Sequence, residues 1–457
     1  MDITLVPAFI TLFGATLFVF VGNIVGKFFP VLRAFTLPGA VLGGLLGLLL
    51  GPQVLGGSAW PGIASTDVDT FYHTLKQLPG LFINAVFACL MLGRPLEPFK
   101  QIWSRAKPQV VMGHLFAWGQ YVMGLGLAVI ILGPLLGVSE LAGPLIAIGF
   151  QGGHGTAAGL SDNFSALGFA AGTDLALAVA TVGIISGVVG GPFLANVLKR
   201  RYDLKSSSNQ QTESQPDTED DVSSSFKPNP LTGRLTVHLA LVGSVIFCGW
   251  LALQGIQMTE RLLRSTQAER YFSDYLPLFS VVLLVGMIFQ VLLQSFKLDQ
   301  WFDRTLFEKI SSFALDMVIV SALATLSLDV LGQNWLAISL LCAAGIGWNL
   351  ALLFVVGPKV YKSPWWAYGL GDLGGGTATT ASGIMLINVV DPKQKTDALK
   401  AYADKQPFYE PIMGGGLVTA LALPTVAILG ATTALGIVTA IFLVWAVLAW
   451  RLAQGKG

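Results

Sequence analysis

Apolar positions in this chain come in long unbroken runs rather than in stripes or alternations. The runs fall at 4–26, 35–57, 74–93, 110–137 and 171–198, and again at 232–256, 275–295, 311–331, 335–357, 407–428 and 431–450. A helix of about 20 residues spans the hydrocarbon core of a bilayer. It also satisfies its backbone hydrogen bonds internally, which an isolated strand cannot do where water is absent. The alternation of polar and apolar residues that a membrane barrel needs is missing. The pattern therefore predicts an all-α polytopic membrane protein.

Two further segments, 144–167 and 365–390, follow the fourth span of each block and are too rich in glycine for ordinary spans. The first contains Gly152-Gly153-His154-Gly155-Thr156-Ala157-Ala158-Gly159, and the second Gly374-Gly375-Gly376-Thr377-Ala378-Thr379-Thr380-Ala381-Ser382-Gly383. Phe82-Ile83-Asn84-Ala85-Val86 likewise resembles Ala314-Leu315-Asp316-Met317-Val318, and Gly183 with Pro192 is spaced much like Gly414 with Pro424. These correspondences read as an internal repeat of two five-span halves, each carrying a re-entrant glycine-rich hairpin. The halves occupy 1–203 and 231–430, and 431–457 adds a C-terminal span and tail without a partner in the first half. Between them, 204–230 is rich in Ser, Gln, Asp and Glu, cannot bury a core, and is expected to be a disordered linker.

Charge placement adds an orientation. Lys27 and Arg33 follow the first span, Arg94, Lys100, Arg105 and Lys107 the third, and Lys199, Arg200, Arg201 and Lys205 the fifth. The alternate loops near Asp67, Asp69 and Glu140 carry no such cluster. Because positive loops stay inside, the N-terminus is expected outside, with the central linker and the C-terminus cytoplasmic. An odd number of spans per half then inverts the second half relative to the first. The loop with Arg261, Arg264 and Arg270 runs against this rule, although Glu260, Glu269 and Asp274 accompany it. Composition agrees with a lipid-solvated fold, with hydrophobic residues at 53% and charged ones at 12%. A net charge of +1 offers no electrostatic basis for a nucleic-acid partner. Cys89, Cys248 and Cys342 lie apart in apolar stretches, so neither a disulfide framework nor a CxxC metal site is indicated. The first run is too long for a signal-peptide core and follows Asp2 rather than basic residues, so it reads as a mature span.

The candidate chemistry sits where helices are interrupted. A helix broken within the bilayer leaves N–H and C=O groups that only protein or a water-filled cavity can meet. Half-helix N-termini present positive dipole ends to an anion, while unwound carbonyls can hold a cation. Gly152, Gly153, Gly155, Gly374, Gly375 and Gly376 are the candidate backbone positions, with hydroxyls from Thr156, Thr377, Thr379 and Thr380 and further ones from Ser161 and Ser382. For a single glycine run, close helix packing is the alternative. His154 either meets a substrate carboxylate, relays a proton, or is a hydrogen-bonded structural residue. Asp372 either receives an ammonium group or sodium, or caps the half-helix that follows it. Asp316 lies inside an apolar run, where a charge costs roughly 3 kcal/mol on insertion scales unless a partner or cavity meets it. Asn84 reads as a helix-to-helix hydrogen bond or a cavity residue, and Asp174 as a solvated helix end or a ligand.

Gly152-Gly153-His154-Gly155-Thr156-Ala157-Ala158, followed by Ser161, resembles the signature of the bacterial sodium/glutamate symporters, and Gly190-Gly191-Pro192 in the fifth span is similar too. The resemblance runs from the first span to about Ile428. It implies a multi-pass protein of the bacterial plasma membrane that takes up L-glutamate with sodium as coupling ion. It also implies a homodimer in which a transport region moves, elevator-like, against a fixed dimerisation region. No other cofactor is implied, and no sodium site is resolved. Asp372 and the added span 431–450 depart from the family pattern, so another small carboxylate or amino acid, driven by sodium or protons, is the alternative cargo.

Two rival classes remain. Gly369-Leu370-Gly371-Asp372 fits the GxGD pattern of intramembrane aspartyl proteases, and Leu421-Ala422-Leu423-Pro424 approximates their later motif. The partner aspartate is lacking, since Tyr202-Asp203 lies beyond Lys199-Arg200-Arg201, outside the apolar runs. A channel could also be built from re-entrant loops. An intramembrane aspartate and two non-identical loops suit a coupled carrier better, so the protein is expected not to be an enzyme.

Overall fold

A computed structural model describes residues 5–28, 37–94, 98–202, 234–263 and 271–455. The linker expected over 204–230 lies outside them, as do Asp203, Arg33, Lys205, Arg264, Glu269 and Arg270. Among the described residues every regular element is helical, and nine helices are long and apolar enough to cross a membrane. The chain is thus an all-α polytopic membrane protein.

The first part of the chain forms α1 (Leu5–Phe28), α2 (Gly39–Leu50), α3 (Ser65–Leu75), α4 (Leu78–Met91) and α5 (Phe99–Leu127). Three short helices follow, α6 (Leu145–Phe150), α7 (Gly153–Gly159) and α8 (Ser161–Ala166), and then α9 (Ala171–Ile185). The later part forms α10 (Leu235–Leu263), α11 (Leu278–Ser295), α12 (Arg304–Ala324) and α13 (Trp335–Ala351). It closes with α14 (Trp365–Thr377), α15 (Thr380–Val390), α16 (Ala398–Ile412), α17 (Leu417–Leu429) and α18 (Ala431–Gln454).

Both glycine-rich segments are helices with breaks. The first is interrupted at Gln151–Gly152 and again at Leu160, and the second at Ala378–Thr379. Three other expectations shift. The α-helix within the run at 35–57 is Gly39–Leu50, with a 3-10 turn at Gly56–Ala59 at its far end, and the run at 311–331 is the helix Arg304–Ala324, which starts among charged residues and ends at Thr325. The run at 407–428 begins earlier, at Ala398, and is itself broken at Met413–Gly416. Charges at Lys400, Asp404 and Lys405 hid its first turns, because such residues resemble a loop in a hydropathy reading.

Proline shapes the long helices in a repeated way. Wide π turns at Ala128–Leu132, Ser186–Gly190 and Leu352–Val356 each precede a Gly-Pro pair, at 133–134, 191–192 and 357–358. Proline has no N–H and its ring collides with the carbonyl four residues back, so the preceding turn opens instead of keeping the regular ladder. In α5, Ala106 leaves helical geometry just before Pro108 for the same reason.

α4 lies along α12, with α1 and α2 beside this pair and α10 and α11 against it. α5 is the spine of the rest, touching α13, α14, α16 and α18. The C-terminal α18 is tied to α5 by a stack of Trp445 on the buried His114, ring centroids 3.9 Å apart. Large apolar side chains on α1, such as Phe9 and Phe13, face outward, as lipid contact requires.

The crossing of α1 and α2 is set by glycine. A Cβ on Gly22 would stand 2.2 Å from the Gly39 carbonyl oxygen and 2.4 Å from the Gly43 nitrogen, both backbone atoms that cannot swing aside. Gly22→Leu is expected to cost about 1–3 kcal/mol by forcing the two helices apart. The midpoint of denaturant unfolding in detergent checks this, and an unchanged midpoint contradicts the packing.

Candidate functional site

A cavity of about 300 Å³ lies where the broken helices meet. One wall is apolar. Ile83, Val86, Phe87 and Leu90 of α4 and Leu315 and Ile319 of α12 supply it, with Ser311 at its edge. The polar lining is made by Gln151 to Thr156 at the first break, by Asp372, Gly375, Gly376 and 378–381 around the second, and by Tyr402, Lys405, Gln406, Tyr409 and Glu410 of α16. Three separate stretches of chain are brought to one place.

Helical geometry decides which candidates reach it. Residues 311, 315 and 319 repeat every fourth position and share one face of α12, so Asp316, one residue and about 100° further round, leaves that face. Asp316 is half-buried and does not line the cavity. Asn84 is rotated off the α4 face in the same way. It lines a second cavity with Asp162 and Asn163, and its amide donates to the Gly80 carbonyl at 2.7 Å. Asp174 accepts from the Ser327 backbone N–H at 2.9 Å, a cap for the turn after α12. Ser161 opens α8 and is absent from the cavity lining.

The first break contributes Gly152, Gly153, His154, Gly155 and Thr156, all on the cavity wall. Gly153 has φ +66°, a left-handed value that glycine adopts without penalty. The His154 ring nitrogen Nε2 is 3.0 Å from the Thr181 hydroxyl of α9, which fixes the ring against its neighbour. Thr156 lies near Gly415 at the α16–α17 break and donates to its carbonyl at 3.4 Å. The second break contributes Asp372, Gly375, Gly376, Thr379 and Thr380. Gly374 and Thr377 are buried but off the wall. A Cβ on Gly374 would meet the Gly383 nitrogen at 2.6 Å, so it serves close packing of α14 on α15, and Thr377 donates back to the Leu373 carbonyl. Ser382 donates its backbone N–H to the Thr379 hydroxyl at 3.2 Å, capping α15.

The break in α14–α15 has its backbone satisfied from both sides. The Gly376 carbonyl, free because the helix ends, accepts from Gln120 at 2.7 Å and from Asn349 at 3.0 Å, both fully buried. Gly183 of α9 allows the approach, since a Cβ there would lie 2.3 Å from the Thr377 carbonyl.

The strongest electrostatic feature was not visible in the sequence. Lys405 Nζ lies 2.6 Å from Asp372 Oδ1, with the two side chains 2% and 1% exposed. Gln109 donates to the same oxygen at 2.9 Å, and the Tyr361 hydroxyl donates to the other. Asp372 is therefore not an empty receptor but a carboxylate already held by a cation. The Lys405 ammonium also lies over the rings of Tyr402 and Tyr409, at 4.8 and 4.6 Å from their centroids. The Tyr409 hydroxyl is within reach of the Gly113 carbonyl at 2.9 Å and Gln151 Oε1 at 2.8 Å, linking this cation to the first break. Glu410 accepts from Thr380 and faces Arg94 at 3.6 Å. A small anion entering here would meet the first turns of α7 and α15 and a buried ammonium; a hard cation would meet hydroxyls and carboxylates.

These features define a polytopic membrane protein with an internal, charge-bearing cavity between broken helices, the architecture of a carrier. A sequence profile of the sodium/glutamate symporter family matches residues 5–360. The chain belongs to that family. It is 29% identical over 326 residues to the sodium/glutamate symporter of Escherichia coli (strain K12), covering 70% of this chain and 72% of that protein. The symporter of the same name from Haemophilus influenzae is 26% identical over 237 residues, covering 50% and 52%. Relatives named as symporters remove the protease reading of Gly369–Asp372, and Asp372 is paired with a lysine.

Gly415 has φ +86°, and a Cβ on it would fall 2.2 Å from the Thr156 hydroxyl. Gly415→Ala is expected to cost at least about 1 kcal/mol from the left-handed backbone alone and to push the two breaks apart. Gly436→Ala, in open space on α18, is the unobstructed control and should not lower the midpoint, since alanine favours a helix interior over glycine. Equal unfolding midpoints for the two variants would contradict the contact.

Proposed function

We propose that this protein takes up L-glutamate with sodium as the coupling ion, by alternating access. The observation that carries the reading is the single cavity shared by two glycine-rich breaks and a buried ammonium, in a chain of the sodium/glutamate symporter family. Backbone amides and Lys405 suit an anionic amino acid. Hydroxyls of Thr379 and Thr380, with Glu410 beside them, suit sodium.

Within the same reading, the glycine-rich segments are re-entrant hairpins in two inverted halves, 1–203 and 231–430, joined by a cytoplasmic linker. The protein is a homodimer of the bacterial plasma membrane whose transport region moves elevator-like, with the N-terminus outside and the C-terminus inside. A second cargo, another small carboxylate or amino acid, is favoured by one observation. The profile match ends at residue 360, before Asp372 and Lys405, so the charged half of the cavity lies beyond the matched segment.

Two measurements test this. Proteoliposomes with an inward sodium gradient should accumulate labelled glutamate saturably, and proton or potassium gradients should not replace sodium; aspartate and other dicarboxylates serve as competitors. Uptake of a competitor in place of glutamate selects the second cargo, and no sodium-driven uptake of either sinks the proposal. For orientation, a membrane-impermeant maleimide should label Glu140→Cys in intact cells and Lys199→Cys only after permeabilisation. The reverse pattern would invert the topology.

A further inference from the structure

We propose that Lys405 is the receptor for a carboxylate of the substrate, and that Asp372 is its stand-in partner while the cavity is empty. The inference rests on the transport reading above and adds the reason sodium is needed.

Lys405 and Asp372 line the cavity and are almost fully buried. An ion pair that deep contributes little net stability, because desolvating both charges offsets their attraction. Its contacts are unequal. Asp372 keeps two other donors, Gln109 and Tyr361, if Lys405 turns away. The other contacts of the Lys405 ammonium among the described residues are the ring faces of Tyr402 and Tyr409, which hold a cation more weakly than an oxygen acceptor does. Lys405 can therefore exchange one carboxylate for another while Asp372 stays hydrogen-bonded.

Charge counting then gives the coupling. Lys405 and Asp372 sum to zero, as do Glu410 and Arg94, 3.6 Å apart. Glutamate has two carboxylates and one ammonium, so its entry leaves one uncompensated negative charge in a poorly solvated space. A sodium ion restores neutrality, and each ligand thereby raises the affinity for the other.

The test is labelled glutamate binding to the purified full chain, in sodium and with choline replacing it. In the wild type, sodium should strengthen binding by on the order of tenfold or more. Asp372→Asn removes the competing charge, so binding should become strong without sodium, the sodium effect shrinking to less than about twofold. The double variant Lys405→Met/Asp372→Asn is neutral, which avoids stranding a buried charge as Asp372→Asn alone does; gel filtration checks that both variants are folded, and a folded Asp372→Asn variant that does not bind without sodium also overturns the inference. The double variant should bind glutamate on the order of tenfold or more weakly in either salt. A sodium-stimulated wild type whose Asp372→Asn variant keeps the full sodium effect, or whose folded double variant binds normally, overturns this inference and leaves the transport reading standing. A wild type without sodium-stimulated binding overturns both.

Discussion

A helix that stops in the interior of a membrane protein must hand its last carbonyls and first amides to polar partners, and the rest of this structure is arranged around that requirement. Three interruptions, at 151–152, 378–379 and 413–416, are brought together so that each is covered by the others or by α5, α9 and α13. Gly183 lets the α14–α15 break rest on α9, and Gln120 and Asn349 take the Gly376 carbonyl that the same break leaves. The cavity is the space that such a junction leaves, lined by polar backbone because the helices end there.

The two walls of that space do different work. α4 and α12 present an apolar face, so their polar residues Asn84 and Asp316 are turned elsewhere. The charged lining residues come from α14 and α16, where Lys405 is countered by Asp372, and Glu410 faces Arg94 from the chain just after α4. Asp372 and Lys405, almost fully buried, each need the other as a close partner.

Much of the architecture was legible in the chain. Unbroken apolar runs identified the helices of a membrane protein, and the paired glycine-rich stretches marked two of the places where helices break. The residues around those glycines, from Gly152 to Thr156 and at Gly375, Gly376, Thr379 and Thr380, do face a common cavity. The third break was hidden. Lys400, Asp404 and Lys405 made the first turns of α16 look like a loop, so Lys405 fell outside the apolar run, and Glu410 within it carried no signal of its own. Gly414-Gly415-Gly416 was the available signal, a glycine run like the other two.

What the sequence determined by itself is what depends on neighbours in the chain: which stretches are apolar enough to span, and where glycine and proline interrupt a helical ladder. Only the tertiary structure decided which charges meet. Lys405 finds Asp372, 33 residues away, because α16 is laid across α14. Asp316 misses the cavity because a helix turns about 100° per residue and its neighbour Leu315 takes the inward position. Pairing and facing are properties of helix rotation and contact, and hydropathy along a chain records neither.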